Sequence, residues 1–241
     1  MTPDLATSQA FYGTVLGWTF IEPREEFGGY SNASLRDRLV AGLMPQDPDN
    51  ADAPVLWNVY LASDDLDATA AAAAAHDGRV VSGPHDVGDL GRMAIFVDPT
   101  GCVVGAWQAG RHTGFEAYDE PGSVGWCDEL SPDPQAARTF YAGVWGLTYQ
   151  VWEAGPDYAL FTVPGGESPA GGIGSMQPGG DDDRPGWTVC FTVADVDQAV
   201  DVVAGAGGTV VVQPYNFEFG RLAVARGPHG ERFWLISSSD T

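Results

Sequence analysis

Two hydrophobic rhythms alternate along the chain. Four segments have the spacing and composition of helices, and each opens on an aspartate, a residue that caps a helix N-terminus with its carboxylate. Asp4 precedes Leu5 to Tyr12. Asp65 precedes a run through Ala70 to Ala75 that stops near Gly78. Asp133 and Pro134, a cap with proline at the first helical position, precede Gln135 to Ala142, and Asp195 precedes a segment that ends at Gly205 to Gly208. Alanine has the best helix propensity, so the alanine run is helix for that reason alone. Between these segments, short β-rich stretches are bounded by turns: Trp18 to Glu22, Tyr30 to Leu35, Leu39 to Met44, Arg79 to Ser82, Met93 to Val97 and Val103 to Trp107. A strand also stands before three of the helices, at Val55 to Leu61, Val124 to Leu130 and Trp187 to Val193. The predicted order is strand, helix and three strands, four times over. The first unit departs from it, because only Met1 to Pro3 precede Asp4.

The rhythm is a true repeat. Pro3-Asp4 returns 129 residues later as Pro132-Asp133. At the same offset Phe11-Tyr12 meets Phe140-Tyr141, Gly17 meets Gly146 and Gly91-Arg92 meets Gly220-Arg221. Asp98-Pro99-Thr100-Gly101, with the residues of a type I turn, meets Gly227-Pro228-His229-Gly230. With one extra residue, Trp57 meets Trp187 and Asp65-Leu66-Asp67 meets Asp195-Val196-Asp197. Matches spread over so long a stretch at nearly constant offset establish a duplication. The expected organisation is a first domain over residues 1–110 lacking its first strand, a Gly/Pro-bearing linker over 111–122, and a second domain over 123–241.

Composition narrows the chemistry. A formal charge of −22, with 33 acidic residues against 11 basic ones, repels phosphate backbones and argues against a nucleic-acid partner. It favours solubility and attracts cationic small molecules. No apolar run is long enough to span a membrane and no secretory signal stands at the N-terminus, so a cytoplasmic location is expected, as monomer or homodimer. The three cysteines, Cys102, Cys127 and Cys190, form no CxxC pair and read as small core residues in a reducing compartment.

Four βαβββ units with helix starts such as PDPQAARTFY and hairpins such as GRMAIFVDPTG resemble the vicinal oxygen chelate superfamily, which includes glyoxalase I, extradiol dioxygenases, fosfomycin-resistance enzymes and bleomycin-binding proteins. The resemblance covers essentially the whole chain, and Asp86 to Gln108 carries it most specifically. It implies an α+β fold in which four βαβββ modules pair into two glyoxalase-like domains, with cupped mixed sheets and helices outside. Enzymes of the superfamily hold a divalent metal on the cup floor, through a His about seven residues before the capping Asp and a Glu four residues after the hairpin Gly. Those positions here are Asn58, Trp126, Thr188, Gly105 and Trp234, none a usual ligand. His76, His85, His112 and His229 share no spacing that gathers them, and Asp181-Asp182-Asp183 reads as a solvated loop. No metal and no cofactor is therefore expected.

Period-two alternation puts Trp126 with Asp128, Thr188 with Cys190, Asn58 with Tyr60, Gly105 with Trp107, and Arg232 with Trp234 on shared strand faces. Because the ligand positions of the resembled superfamily point into the cup, the resemblance implies a ligand-binding set of Asn58, Tyr60, Trp107, Trp126, Trp187, Thr188, Arg232 and Trp234: aromatic walls with a few polar groups. Asp128 is the candidate acid or base, since a carboxyl among indole rings is expected to hold its proton more tightly. Tyr60 and Tyr158 are the alternative proton donors. Three readings follow. One is a metal-free protein binding a small aromatic or cationic molecule, as bleomycin-binding proteins do. Another is a metal-independent tailoring enzyme of specialised metabolism (cyclase, isomerase or hydroxylase-type) using Asp128 or a tyrosine. The third is an interaction protein whose cups are filled. The residues leave open whether any reaction is catalysed.

Overall fold

The computed structural model describes residues 1–50, 53–152, 157–176 and 185–237; the acidic run at 181–183 lies outside them. The fold is mixed α+β. In chain order it runs α1 (Leu5–Leu16), β1 (Thr19–Phe20), β2 (Ser31–Leu35), β3 (Arg38–Leu43), β4 (Tyr60–Ala62), α2 (Leu66–Ala75), β5 (Arg79–Val87), β6 (Gly91–Val97) and β7 (Val103–Ala109). It continues with β8 (Val124–Ser131), α3 (Pro134–Trp145), β9 (Thr148–Val151), β10 (Ala159–Thr162), β11 (Gly171–Ser175), β12 (Gly186–Thr192), α4 (Val196–Gly205), β13 (Thr209–Phe217), β14 (Gly220–Arg226) and β15 (Arg232–Ser237). None of the described helices is long and apolar enough to cross a membrane.

The four α-helices among the described residues begin the same way. The carboxylates of Asp4, Asp65, Asp133 and Asp195 accept from the backbone N–H three residues on, at 3.0, 2.9, 3.0 and 3.0 Å. Each satisfies one donor that the first helical turn leaves without a partner. α1 and α3 end on Gly17 and Gly146 at φ 74° and 68°, a left-handed turn that suits glycine. The Asp98 turn closes with Gly101 N–H donating to Asp98 O at 3.2 Å.

Compact packing divides the chain differently from the repeat. The first unit is Met1–Trp57, Gly114–Trp126 and Val189–Thr241; the second is Asn58–Thr113 and Cys127–Thr188. Each unit therefore joins one quarter from each half, and β8 and β12 start in one unit and finish in the other. In the first unit α1 packs on α4. β1, β2 and β3 form an antiparallel sheet, β14 pairs antiparallel with β13 and β15, and the end of β12 runs parallel to β15. Its core is aromatic: Phe11, Tyr12, Trp18, Phe191 and Phe233 are all buried. Tyr12 stacks on Trp18 at 5.4 Å, and Trp57 meets Phe191 edge-on at 5.3 Å. Burying each such ring contributes roughly 1.5–3 kcal/mol.

In the second unit α2 packs on α3. One sheet has the order β4-β7-β6-β5, and the end of β8 runs parallel to β11, which continues through β10 to β9. Leu66, Ala73, Ala94, Phe96, Phe140, Tyr141, Ile173 and Trp187 form the core between helices and strands.

Several strands differ from expectation. The first quarter keeps one residue of a leading strand: Thr2 bridges Pro45 in parallel, its N–H donating to Met44 O and its O accepting from Gln46, both at 2.8 Å. β4 is shorter than Val55 to Leu61 because Trp57 turns into the first unit's aromatic core, where its Nε1 donates to Tyr12 Oη at 3.0 Å. β5 runs past Ser82 through Gly83-Pro84 to Val87. It is the edge strand of its sheet and shifts register between Ser82 and His85, which is where a sheet accommodates proline.

Candidate functional site

The site is built on three strands of the second unit. β8 and β11 pair Gly172 with Asp128 and Ile173 with Glu129. Successive residues of a strand face opposite ways, so Glu129 joins Ile173 on the helix side while Asp128 and Gly172 share the opposite face. Asp128 is 4% exposed. Tyr158, immediately before β10, lays its ring across β11 and donates from Oη to Asp128 Oδ1 at 2.8 Å.

The glycines of Gly171-Gly172-Ile173-Gly174 make this crossing possible. A Cβ at Gly172 would stand 2.0 Å from Tyr158 Oη and 2.5 Å from Asp128 Oδ1, and one at Gly174 would stand 2.6 Å from Tyr158 Cδ2. The result is a phenol and a buried carboxylate in hydrogen-bond contact, a pair able to accept and relay a proton.

Other anticipated residues are distributed over both units. In the second unit, Tyr60 lies opposite Gly105 and across it, with a Cβ there meeting the ring at 2.3 Å; it is 42% exposed. Asn58 is exposed and precedes β4. Trp107 is half-buried, its Nε1 donating to His112 O at 2.8 Å and its ring against Gly91. Thr188 is buried. Trp187 is buried in the helix–strand core, where its Nε1 donates to Tyr141 Oη at 3.0 Å and its ring meets Tyr141 and Phe161 edge-on. Trp126, Arg232 and Trp234 belong to the first unit, all half-buried, with Trp234 in register with Cys190. Of the anticipated groups, the structure brings Asp128 and Tyr158 into contact.

On the helix side of the second unit, burial pushes the Glu129 carboxyl up to about 8 and the Cys127 thiol up to about 12. It also raises the Cys102 thiol and the phenols of Tyr141 and Tyr149. Glu129 is not among the candidates of the sequence. The doublet Asp128-Glu129 within a strand is itself a signal, since alternation must send one carboxylate to each face.

The superfamily's chelating positions do not fit a metal here. Asn58, Gly105, Trp126, Thr188 and Trp234 include no carboxylate, imidazole or thiol, and the Tyr60 ring covers Gly105.

Comparisons with known proteins agree with this frame. The family model described as Glyoxalase/Bleomycin resistance protein/Dioxygenase superfamily matches residues 1–105, and one described as a glyoxalase-like domain matches residues 126–236. "Putative glyoxylase CFP32" of Mycobacterium bovis is 36% identical over 98% of this chain and 91% of its own. "Anthracycline biosynthesis protein DnrV" of Streptomyces peucetius is 34% identical over 98% of this chain and 90% of its own. Among solved structures, a Mn(II)-bound glyoxalase from Novosphingobium aromaticivorans shares the fold, with a TM-score of 0.68 and 18% identity over 97% of this chain and 78% of that one.

Proposed function

Since the chain belongs to the glyoxalase/bleomycin resistance protein/dioxygenase superfamily, we propose that it binds a small planar molecule and moves a proton on it through Asp128 and Tyr158, with no metal at the reacting group. The observation that carries this reading is the 2.8 Å hydrogen bond from Tyr158 Oη to the buried Asp128 carboxylate. Asp128 Oδ1 receives that bond and is thereby oriented. Its carboxylate is the base that takes a proton from an acidic C–H or O–H of the substrate, and Tyr158 stabilises the charge by donating to it. Returning the proton at another position completes an isomerisation or a cyclisation without any redox partner.

Two observations support a planar, hydroxylated aromatic substrate. Tyr60 and Trp107 lay aromatic rings over glycines of the sheet β4-β7-β6-β5, and relatives at 34% and 33% identity are named for anthracycline biosynthesis. The same rings favour a second reading, retention of such a molecule without turnover.

Incubation with a panel of hydroxylated anthraquinones and open-chain polyketide analogues, followed by mass spectrometry, separates the two. Turnover by the wild type is expected to fall about 10²–10⁴-fold in Asp128→Asn, the range of a general base, with tryptophan quenching by ligand retained. Tyr158→Phe is expected to lose less. Quenching with no product from the wild type would replace catalysis by binding, and an unchanged rate in Asp128→Asn would remove Asp128 from the mechanism.

A further inference from the structure

The helix side of the second unit holds a second polar cluster that the proposed chemistry does not use. Asp98 ends β6, Cys102 opens the return into β7, and Glu129 comes from β8. All three are buried, at 4%, 0% and 0% exposure, and one carboxylate oxygen of each acid and Cys102 Sγ lie within 4.8 Å of one another. Their bonding is incomplete. Asp98 Oδ1 is occupied by the turn, accepting from Thr100 N, Thr100 Oγ1 and Cys102 N at 2.8, 2.8 and 2.9 Å. Glu129 Oε1 accepts from Cys102 Sγ at 2.6 Å. Asp98 Oδ2 and Glu129 Oε2, both fully buried, have no hydrogen-bond partner, and no ion pair among the described residues reaches either acid. A buried carboxylate oxygen left without a partner costs a few kcal/mol unless something positive meets it.

The other unit shows what a closed version looks like. By the repeat, Glu231 stands where Cys102 does and Gly227 where Asp98 does. There Glu231 Oε1 accepts from Tyr12 Oη at 2.8 Å and Oε2 from His229 N at 3.1 Å, so both oxygens are satisfied. The second unit replaces that arrangement with a thiol and two carboxylates, from the β6–β7 turn and from β8.

We infer that Asp98, Cys102 and Glu129 form a binding site for one divalent transition-metal cation of the zinc class. One thiolate and two carboxylates supply three of the four positions of a tetrahedral zinc, whose ligand atoms lie about 3.3–3.8 Å apart at the usual bond lengths. The donors, within 4.8 Å of one another, have to close to that spacing when the cation binds. Cys102 binds as the thiolate, its proton passing to solvent, and the cation takes the place of the S–H···O bond. Glu129 and Asp98 offer their unpartnered oxygens. The site lies on the opposite strand face from Asp128, so it joins sheet to turn and stays apart from the proposed proton transfer.

The test is metal content and cobalt spectroscopy of the full chain. Protein expressed in zinc-supplemented medium is expected to hold roughly one zinc per chain by plasma mass spectrometry. Refolding with Co²⁺ is expected to give a sulfur-to-cobalt charge-transfer band in the near ultraviolet. Cys102→Ser should abolish the band. Glu129→Gln and Asp98→Asn should each reduce occupancy at least about tenfold, and Asp98→Asn keeps the Oδ1 contacts of the turn. Asp128→Asn, on the other face, should leave metal content unchanged. A wild type free of bound cation after zinc loading and without the cobalt band overturns the inference. So does metal retained equally in Cys102→Ser and Asp98→Asn. Where Cys102→Ser fails to fold, wild-type occupancy and Asp98→Asn decide the matter.

Discussion

The two compact units carry the same frame and finish it differently. Both tie a tryptophan N–H to a helix tyrosine at 3.0 Å, Trp57 to Tyr12 in the first and Trp187 to Tyr141 in the second. Both lay a tyrosine over a glycine, Tyr30 over Gly42 and Tyr158 over Gly172. In the first unit Tyr12 donates a hydrogen bond to Glu231, and no hydrogen bond to a carboxylate is made by Tyr30 among the described residues. In the second, Tyr158 ends on Asp128, and Glu231's place is held by Cys102, whose thiol turns to Glu129. Duplication thus multiplied a packing scheme and left the groups inside it free to diverge. One unit closes both oxygens of Glu231 onto donors, and the other keeps a carboxylate on each face of a single strand.

That contrast can be broken where the glycines hold it. Gly172→Ala is expected to push Tyr158 off Asp128 and lower turnover about 10²-fold, the effect of an ångström-scale displacement of a reacting group. Gly42→Ala, which meets Tyr30 in the same way, should cost stability and leave turnover of the folded fraction alone. Equal losses of turnover in the two variants would place the function in both units. The core version of the comparison is sharpened by removing single hydroxyls. Tyr12→Phe strips Glu231 of a buried donor and is expected to cost about 1–3 kcal/mol in chemical denaturation. Tyr141→Phe removes only the acceptor for Trp187 and should cost about 1 kcal/mol. The smallest effect tests the frame itself. Alanine at each capping aspartate, Asp4, Asp65, Asp133 or Asp195, should cost about 1 kcal/mol, with the four values alike, because the four caps have the same geometry.

Local features were legible in the residues. Caps, helix starts and the Asp98 turn depend on contacts within four positions, and they appear where the pattern puts them. Asp128 and Tyr158 were legible separately as candidates, yet their contact was not. It depends on β11 lying between them and on two glycines letting a ring cross. Trp187 and Trp57 read as pocket or strand residues, and each is drawn into a core by a tyrosine from a distant helix. The shortening of β4 follows from the second of these.

By itself, the sequence determined the duplication, the four βαβββ modules, the superfamily and the lack of ordinary chelating residues at the superfamily's positions. These follow from short-range propensity and from spacing, which are properties of the chain read in order. Only the tertiary structure decided that each compact unit takes a quarter from each half, that Tyr158 meets Asp128, and that Asp98, Cys102 and Glu129 converge. Pairing of strands and burial of side chains join residues far apart in the chain, and no local pattern encodes which of them will meet.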